Sequence, residues 1–535
     1  MLTSSNNHRY INICVDAPPI PQVNICVAPH AGRRINAHAG IRVIAAIILL
    51  CGLHILAQTN DGALILEHAD SNENIYQSST GDFISYLRGN VAFRFEDLRI
   101  SAAEAMWQRS AGVVDFSRDV RLEQKGQVMT CDKLHFERDK NIITASGNVL
   151  YVDSAKITFM RGQTAEYATN KKECTLHGDP LLTRVDTTEV DTLFISGRVM
   201  TYSDSLKIAT VTNDVKIHRG SLTATGRKGL YFANENKAQL RIKPVIDYEK
   251  HRIVGDSVDL FFGKESLEGA CVMGNTHGFY SEVADSSMDT TVMNIWSDSL
   301  ALSMFESGKI NSIKAFGSAR GDYSEIPAGT RAKTVTHIMS DSLHMFMFET
   351  GKVRGMKAFG SARGIYSEIA ADAGSAMATH ISSDSMHMYM FKTGKISGIR
   401  AYGKAHGRSA EWNGTSSKDS AITHIWSDSL RVAMTGAGKI NTMRAFGNVI
   451  SRNFTAGDSA RANEVSGHRM TLAFSPAGKV ERALVRGGAK SRYFVEEADG
   501  GGCNVAGGDI IIVTFSHGKA QRVRVWGNAK GIYFP

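Results

Sequence analysis

An aspartate and glycine register that returns every 43 or 44 residues constrains this chain more than any other feature. Asp298, Asp341, Asp384 and Asp428 lie 43, 43 and 44 residues apart, and Gly308, Gly351, Gly394 and Gly438 keep the same steps. Each of these glycines precedes a lysine, and nine residues after each comes another: Gly317, Gly360, Gly403 and Gly447. The pairs Gly478/Gly487 and Gly518/Gly527 continue at a period of 40, and 255–282 is a looser earlier copy. A unit of this size cannot bury an apolar face alone and must stack on its neighbours. The second half of the chain is therefore an array.

Inside one copy, SDSLHMFMFETGKVRGMKAFGSARG at 340–364, Leu343, Met345 and Met347 alternate with His344, Phe346 and Phe348. Successive side chains of a strand point to opposite faces, so this segment reads as a strand with two bulky rows. The Gly-Lys that follows predicts a hairpin needing φ > 0 at the glycine. Polar stretches between copies, IPAGTRAKTV and WNGTSSKDSA, read as loops on one side of the stack. The Ser and Asp of each SDS are expected to bond backbone where a strand begins. The Phe346/Phe348 row is expected to pack under a basic column or under the loops.

From 83 to 262 the same logic runs at about thirty residues per unit. Its recurring phrases are RGNVAFRF, SRDVRLEQ, SGNVLYVD, HGDPLLTR and TNDVKIHR, each read as a turn feeding a strand. Fifty glycines against nine prolines fit many tight turns and little linker. The expected fold is all-β: an elongated repeat β-jellyroll (a "β-taco") or a β-solenoid-like stack of short antiparallel strands. The divisions expected are an irregular extension over 1–41, a signal peptide or membrane anchor over 42–57, a linker over 58–82, a first block over 83–270, and diverged 40–44-residue repeats over 271–535 that continue the sheet.

The segment RVIAAIILLCGLHILA at 42–57 follows Arg33, Arg34 and Arg42. Its apolar core is shorter than the roughly 20 residues of a membrane span, so cleavage near Ala57 is the main reading, with uncleaved anchoring beside it. Lipidation of Cys51 is disfavoured by Leu50, where a small residue is required. The seven cysteines, at 14, 26, 51, 131, 174, 271 and 503, form neither a disulfide framework nor a metal spacing. A net charge of +8 is spread one or two basic residues per strand, which argues against nucleic acid and leaves an anionic lipid open.

The GNV strand starts at 89 and 147, the run 101–149 and the secretory N-terminus resemble the OstA-like family, which includes the periplasmic lipopolysaccharide-transport protein LptA. The later copies look like diverged units of the same kind. The resemblance implies a jellyroll opened into a V with a lipid-lined groove, acting in the periplasm or against either membrane. Its implied partners are lipopolysaccharide or another anionic glycolipid, and jellyroll-type transport proteins of the inner and outer membranes, joined by edge-strand addition or by self-association. No cofactor is implied.

Catalytic signatures are missing: GSARG is not GxSxG, the GK pairs lack the phosphate-loop frame, and HExxH is absent. Ser, Asp and His recur once per unit, whereas an active site is assembled once, so no enzyme is expected. A calcium ladder at the SDS aspartates and a metal column at His337, His380 and His424 are weaker readings than backbone bonding and packing. The candidate lipid row is Leu300, Leu302 and Met304; Leu343, Met345 and Met347; Met386, Met388 and Met390; and Leu430, Val432 and Met434. Flexible methionine suits a surface that accepts acyl chains, while a closed sandwich would need the same row. Lys314, Lys357, Arg400 and Arg444 form a basic column, read as head-group contacts or as a solvated face whose stems cover aromatics. The expected function is lipopolysaccharide transport or assembly between two membranes. A structural or adhesive cell-surface solenoid and a membrane-anchored assembly factor are the alternatives.

Overall fold

The computed structural model describes residues 62–535, apart from 79–80, 154–156, 186–191, 264–266, 284–287, 289, 327, 330–332, 370–374, 414–420, 456–457, 477–478, 496–500 and 517–518. The expected signal or anchor at 42–57, Gly478 and Gly518 lie outside the described residues. All described strands join one antiparallel sheet. In the second half it is a meander of long strands, such as Ile310–Ile326, Lys333–Met347 and Val353–Ile369, each paired with the next. No described helix is long and apolar enough to cross a membrane.

Every second strand carries a bulge in its middle, and the sheet bends there. The bend is made by two successive residues with positive φ, for example Gly89/Asn90, Gly147/Asn148, Gly317/Ser318, Gly360/Ser361 and Gly447/Asn448. The ladder skips there: Phe316 pairs with Ser342 and Ala319 with Ser340, so Gly317 and Ser318 together oppose the single residue Asp341. An extra residue in one strand kinks it and raises its twist. The GNV phrases are thus mid-strand bulges and not turns feeding a strand, as Ile142–Val152 runs straight through Gly147.

The bulge explains the Asp–Gly register. A Cβ on Gly317, Gly360, Gly403 or Gly447 would collide with the carboxylate of Asp298, Asp341, Asp384 or Asp428 on the neighbouring strand. Asp70/Gly89, Asp132/Gly147 and Asp256/Gly274 repeat the arrangement in the first half. The SDS triplets therefore sit at the bend, not where a strand begins. Their first serine does bond backbone: Ser340 Oγ donates to the Ser342 carbonyl at 2.8 Å, and Ser297, Ser383 and Ser427 do likewise.

Bending divides each long strand between two leaves of a sandwich. One leaf ends in the Gly-Lys hairpins; there Phe348 N donates to Lys352 O at 2.7 Å and Gly351 N to Phe348 O at 2.9 Å, with Gly351 at φ +83°. This is a three-residue hairpin loop whose last residue must be left-handed, which accounts for the glycine. The other leaf ends in the variable loops. The leaves approach closely beside the bend, where Gly321, Gly364 and Gly407 face Leu343, Met386 and Leu430, a Cβ there falling 2.9–3.2 Å from the opposing side chain.

Two boundaries differ from expectation or acquire detail. Residues 58–82 are not a linker throughout, because Leu64–His68 and Ser71–Gln77 are strands hydrogen-bonded to Asp82–Phe95. The edge of an existing sheet supplies their hydrogen-bond partners. At the other boundary, Leu267–Val283 pairs with strands of both halves, so the ladder is continuous across residue 270.

Candidate functional site

Within the hairpin leaf, three inward rows run across the strands. Nearest the bend, large and small side chains alternate: Leu300, Ala315, Leu343, Ala358, Met386, Ala401, Leu430 and Ala445 are successive cross-strand partners. The middle row is Leu302, Ile313, Met345, Met356, Met388, Ile399, Val432 and Met443. At the hairpin end Met304, Met347, Met390 and Met434 face Ile310, Val353, Ile396 and Ile440. The candidate lipid residues thus share one interior. Leu302 and Met304 are partly buried against it and the other ten are 0–7% exposed. The alanines were missed in the sequence, although their constant place before each aromatic-glycine pair was a usable signal.

This interior is closed along its second side. Tyr248, Tyr280 and Tyr323 reach from the loop leaf and donate to the carbonyls of Gly308, Gly351 and Gly394, the last at 2.9 Å. Arg184 and Arg219 make the same kind of bond to Ala233 and Gly263, both at 3.0 Å. Burial holds the Tyr280 and Tyr323 phenols above their ordinary range, which keeps them donors. The V implied by resemblance is therefore latched at the hairpins of Gly308, Gly351 and Gly394. Near Tyr280 an interior cavity of about 20 Å³ remains among Ile253, Met293 and Ile313, room for about one water.

His251 stacks on Tyr280, with ring centroids 4.2 Å apart, and its Nδ1 is buried without a hydrogen-bond partner. Burial pushes this imidazole down to about 4. The unfolded chain then binds the proton more readily, so the contribution to stability is complete above about pH 6.5 and is lost as pH falls towards 4. The loss is of order 3 kcal/mol at most. Thermal melting between pH 7 and pH 4 should be steeper for this protein than for its His251→Phe variant; equal slopes would contradict the assignment.

Lys314, Lys357, Arg400 and Arg444 point to the outer face, away from the apolar rows, since Ala315, Ala358, Ala401 and Ala445 next to them are the inward residues. Phe346 lies under the basic column as expected, 5.4 Å from Lys357 Nζ and 5.6 Å from the Arg354 guanidinium. His337, His380 and His424 do share a register, but Ile365 and Arg408 stand between them. Two strand spacings, about 9.6 Å, separate each from the next, too far to share an ion. Among the described residues no cluster of His, Cys, Asp or Glu could hold a metal. Cys131 and Cys174 are buried, and burial pushes both thiols up to about 12. A depression of about 540 Å³ lies on the outer face of the first half, where His135 and Asp115 pair at 2.7 Å.

No curated protein matches the chain. Among solved structures it is similar to LptH from Pseudomonas aeruginosa, described as the LptA-homologous periplasmic component of the conserved lipopolysaccharide transport device. The match has 17% identity, covers 25% of this chain and 75% of that one, and has a TM-score of 0.14. A family model described as OstA-like protein matches residues 98–256, which include some of the bulged strands and the start of the latched rim. That segment of the chain is OstA-like.

Proposed function

We propose that this protein is a lipopolysaccharide transport or assembly factor of the cell envelope, holding the acyl chains of lipopolysaccharide or another anionic glycolipid between its two leaves. The observation that carries the reading is the unbroken apolar interior from Leu300 to Met443, rich in methionine and continuous with an OstA-like segment. Each methylene moved from water into such an interior gains about 0.8 kcal/mol. A chain of about twelve carbons thus outweighs several rim hydrogen bonds worth about 1 kcal/mol each. The lipid enters by parting the rim, and equivalent units let it move along the stack. The outward Lys314, Lys357, Arg400 and Arg444 take no part in this, because they face away from the rows.

Both ends of the sheet favour end-to-end docking on jellyroll partners. Ile75 and Tyr76 are about half exposed on the edge strand Ser71–Gln77, as are Ile532, Tyr533 and Phe534 on Lys530–Phe534. Such edges invite strand addition. In this reading the protein works in the periplasm, catalyses nothing and needs no cofactor. The latched, closely packed interior favours a second reading, a structural or adhesive surface solenoid that carries no lipid.

Photo-crosslinking amino acids at 343, 345, 386 and 388 of the full chain, in cells, separate the two. Capture of lipid is expected, and it should rise in a Tyr280→Phe/Tyr323→Phe background with loosened latches. No capture in either background, from protein that remains folded, would leave the solenoid reading standing.

A further inference from the structure

The outer face of the hairpin leaf carries a ladder that the basic residues alone did not reveal. Lys314, His344, Lys357, His387, Arg400, Arg431 and Arg444 are consecutive cross-strand partners. At about 4.8 Å per strand they span about 29 Å in a line across the sheet. The outward columns on either side, through Phe316, Phe359, Tyr402 and Phe446 and through Phe346 and Tyr389, contain no Asp or Glu between residues 299 and 446. Among the described residues no carboxylate pairs with any of the five Lys and Arg. Elsewhere exposed arginines find one readily: Arg320 with Asp322 at 2.7 Å, Arg121 with Glu123 at 2.6 Å, Arg452 with Glu464 at 2.7 Å.

Like charges set directly opposite one another destabilise a sheet. The ladder lives with that repulsion by leaning on rings: Arg400 lies 5.0 Å from the Tyr389 centroid and Arg431 5.2 Å from Phe446, while His344 and His387 stand edge-on between Phe316, Phe359 and Tyr402. Burial first, and then the cations on each side, push both imidazoles below their ordinary range. Phe359 and Tyr389 remain more than a third exposed, so flat apolar surface recurs beside the charges. Rings and charges both repeat every two strands, about 9.6 Å, comparable with the repeat of a disaccharide.

We propose that this face binds an extended anionic polysaccharide, with carboxylate or phosphate groups on the ladder and sugar rings against Phe346, Phe359 and Tyr389. Charge complementarity selects a polyanion. A row one residue wide, bordered by rings and by Ser and Gly, suits a single glycan chain better than the broad basic groove that tracks a nucleic-acid backbone. The site is independent of the interior, so it stands or falls apart from lipid transport.

The test titrates the full chain with fluorescent alginate, with neutral dextran of equal length, with vesicles containing phosphatidylglycerol, and with single-stranded DNA. Alginate should bind at least tenfold more tightly than dextran and more tightly than DNA or vesicles, and added salt should weaken it. The Lys357→Gln/Arg400→Gln/Arg431→Gln variant should lose at least tenfold in alginate affinity while melting no lower than the parent, because it removes a repulsion. Phe359→Ala/Tyr389→Ala should lose affinity with the same salt dependence. Equal binding of alginate and dextran, unchanged binding by the glutamine variant, or preference for vesicles or DNA would each overturn the proposal.

Discussion

Gly360→Val should destabilise the middle of the array by about 3 kcal/mol, although the residue lies on the outside of the bend. Two effects add. A β-branched residue is held at φ +78°, and its Cβ meets the Asp341 carboxylate. Strain of the first kind is worth about 1–3 kcal/mol and overpacking a similar amount. A repeat array need not unfold in one step, so the informative readout is amide hydrogen exchange along Lys333–Met347 and Val353–Ile369. Asp341→Ala added to Gly360→Ala should restore part of the loss by removing the collision, and the strained φ should retain the rest. Exchange rates equal to those of the parent would refute the Asp–Gly account of the repeat.

Met345→Asp should be more damaging still. Met345 is fully buried between Ile313 and Met356, where a carboxylate has no partner. An uncompensated buried charge costs about 3–5 kcal/mol, or the group takes up a proton instead. Its folded pKa is then raised above about 3.9, so the folded state binds more protons and stability falls as pH rises through that value. The melting deficit relative to the parent should therefore be largest at pH 7 and shrink towards pH 4. Met345→Leu, which keeps volume and chemistry, should cost less than about 1.5 kcal/mol. An aspartate variant melting like the leucine variant would mean that water already reaches this row.

Much of the hairpin leaf was readable because its determinants are local. Alternation at Leu343, Met345 and Met347 marks one face, and Gly351 before Lys352 marks a left-handed turn residue; both depend only on neighbours within a few positions. Other features needed the pairing register. His344, His387 and Arg431 join the basic column only once the bulge and the three-residue turns set which residues stand opposite. Gly89 and Gly147 read as turn glycines because a positive φ is the same local event in a turn and in a mid-strand bulge. The strands at 64–68 and 71–77 were illegible because an edge strand borrows its order from the sheet beside it.

By itself the sequence determined an all-β array, its period, its hairpins and the apolar row that faces inward, because strand alternation and turn chemistry are written in adjacent residues. Only the tertiary structure decided that the two leaves are latched. Tyr280 and Gly351 are 71 residues apart, and whether they meet depends on the angle of every intervening bend and on the stagger between leaves. The same geometry sent Lys314, Lys357, Arg400 and Arg444 to the face opposite Met345. Bend angle and stagger are sums over many strands, and no short stretch of residues encodes a sum.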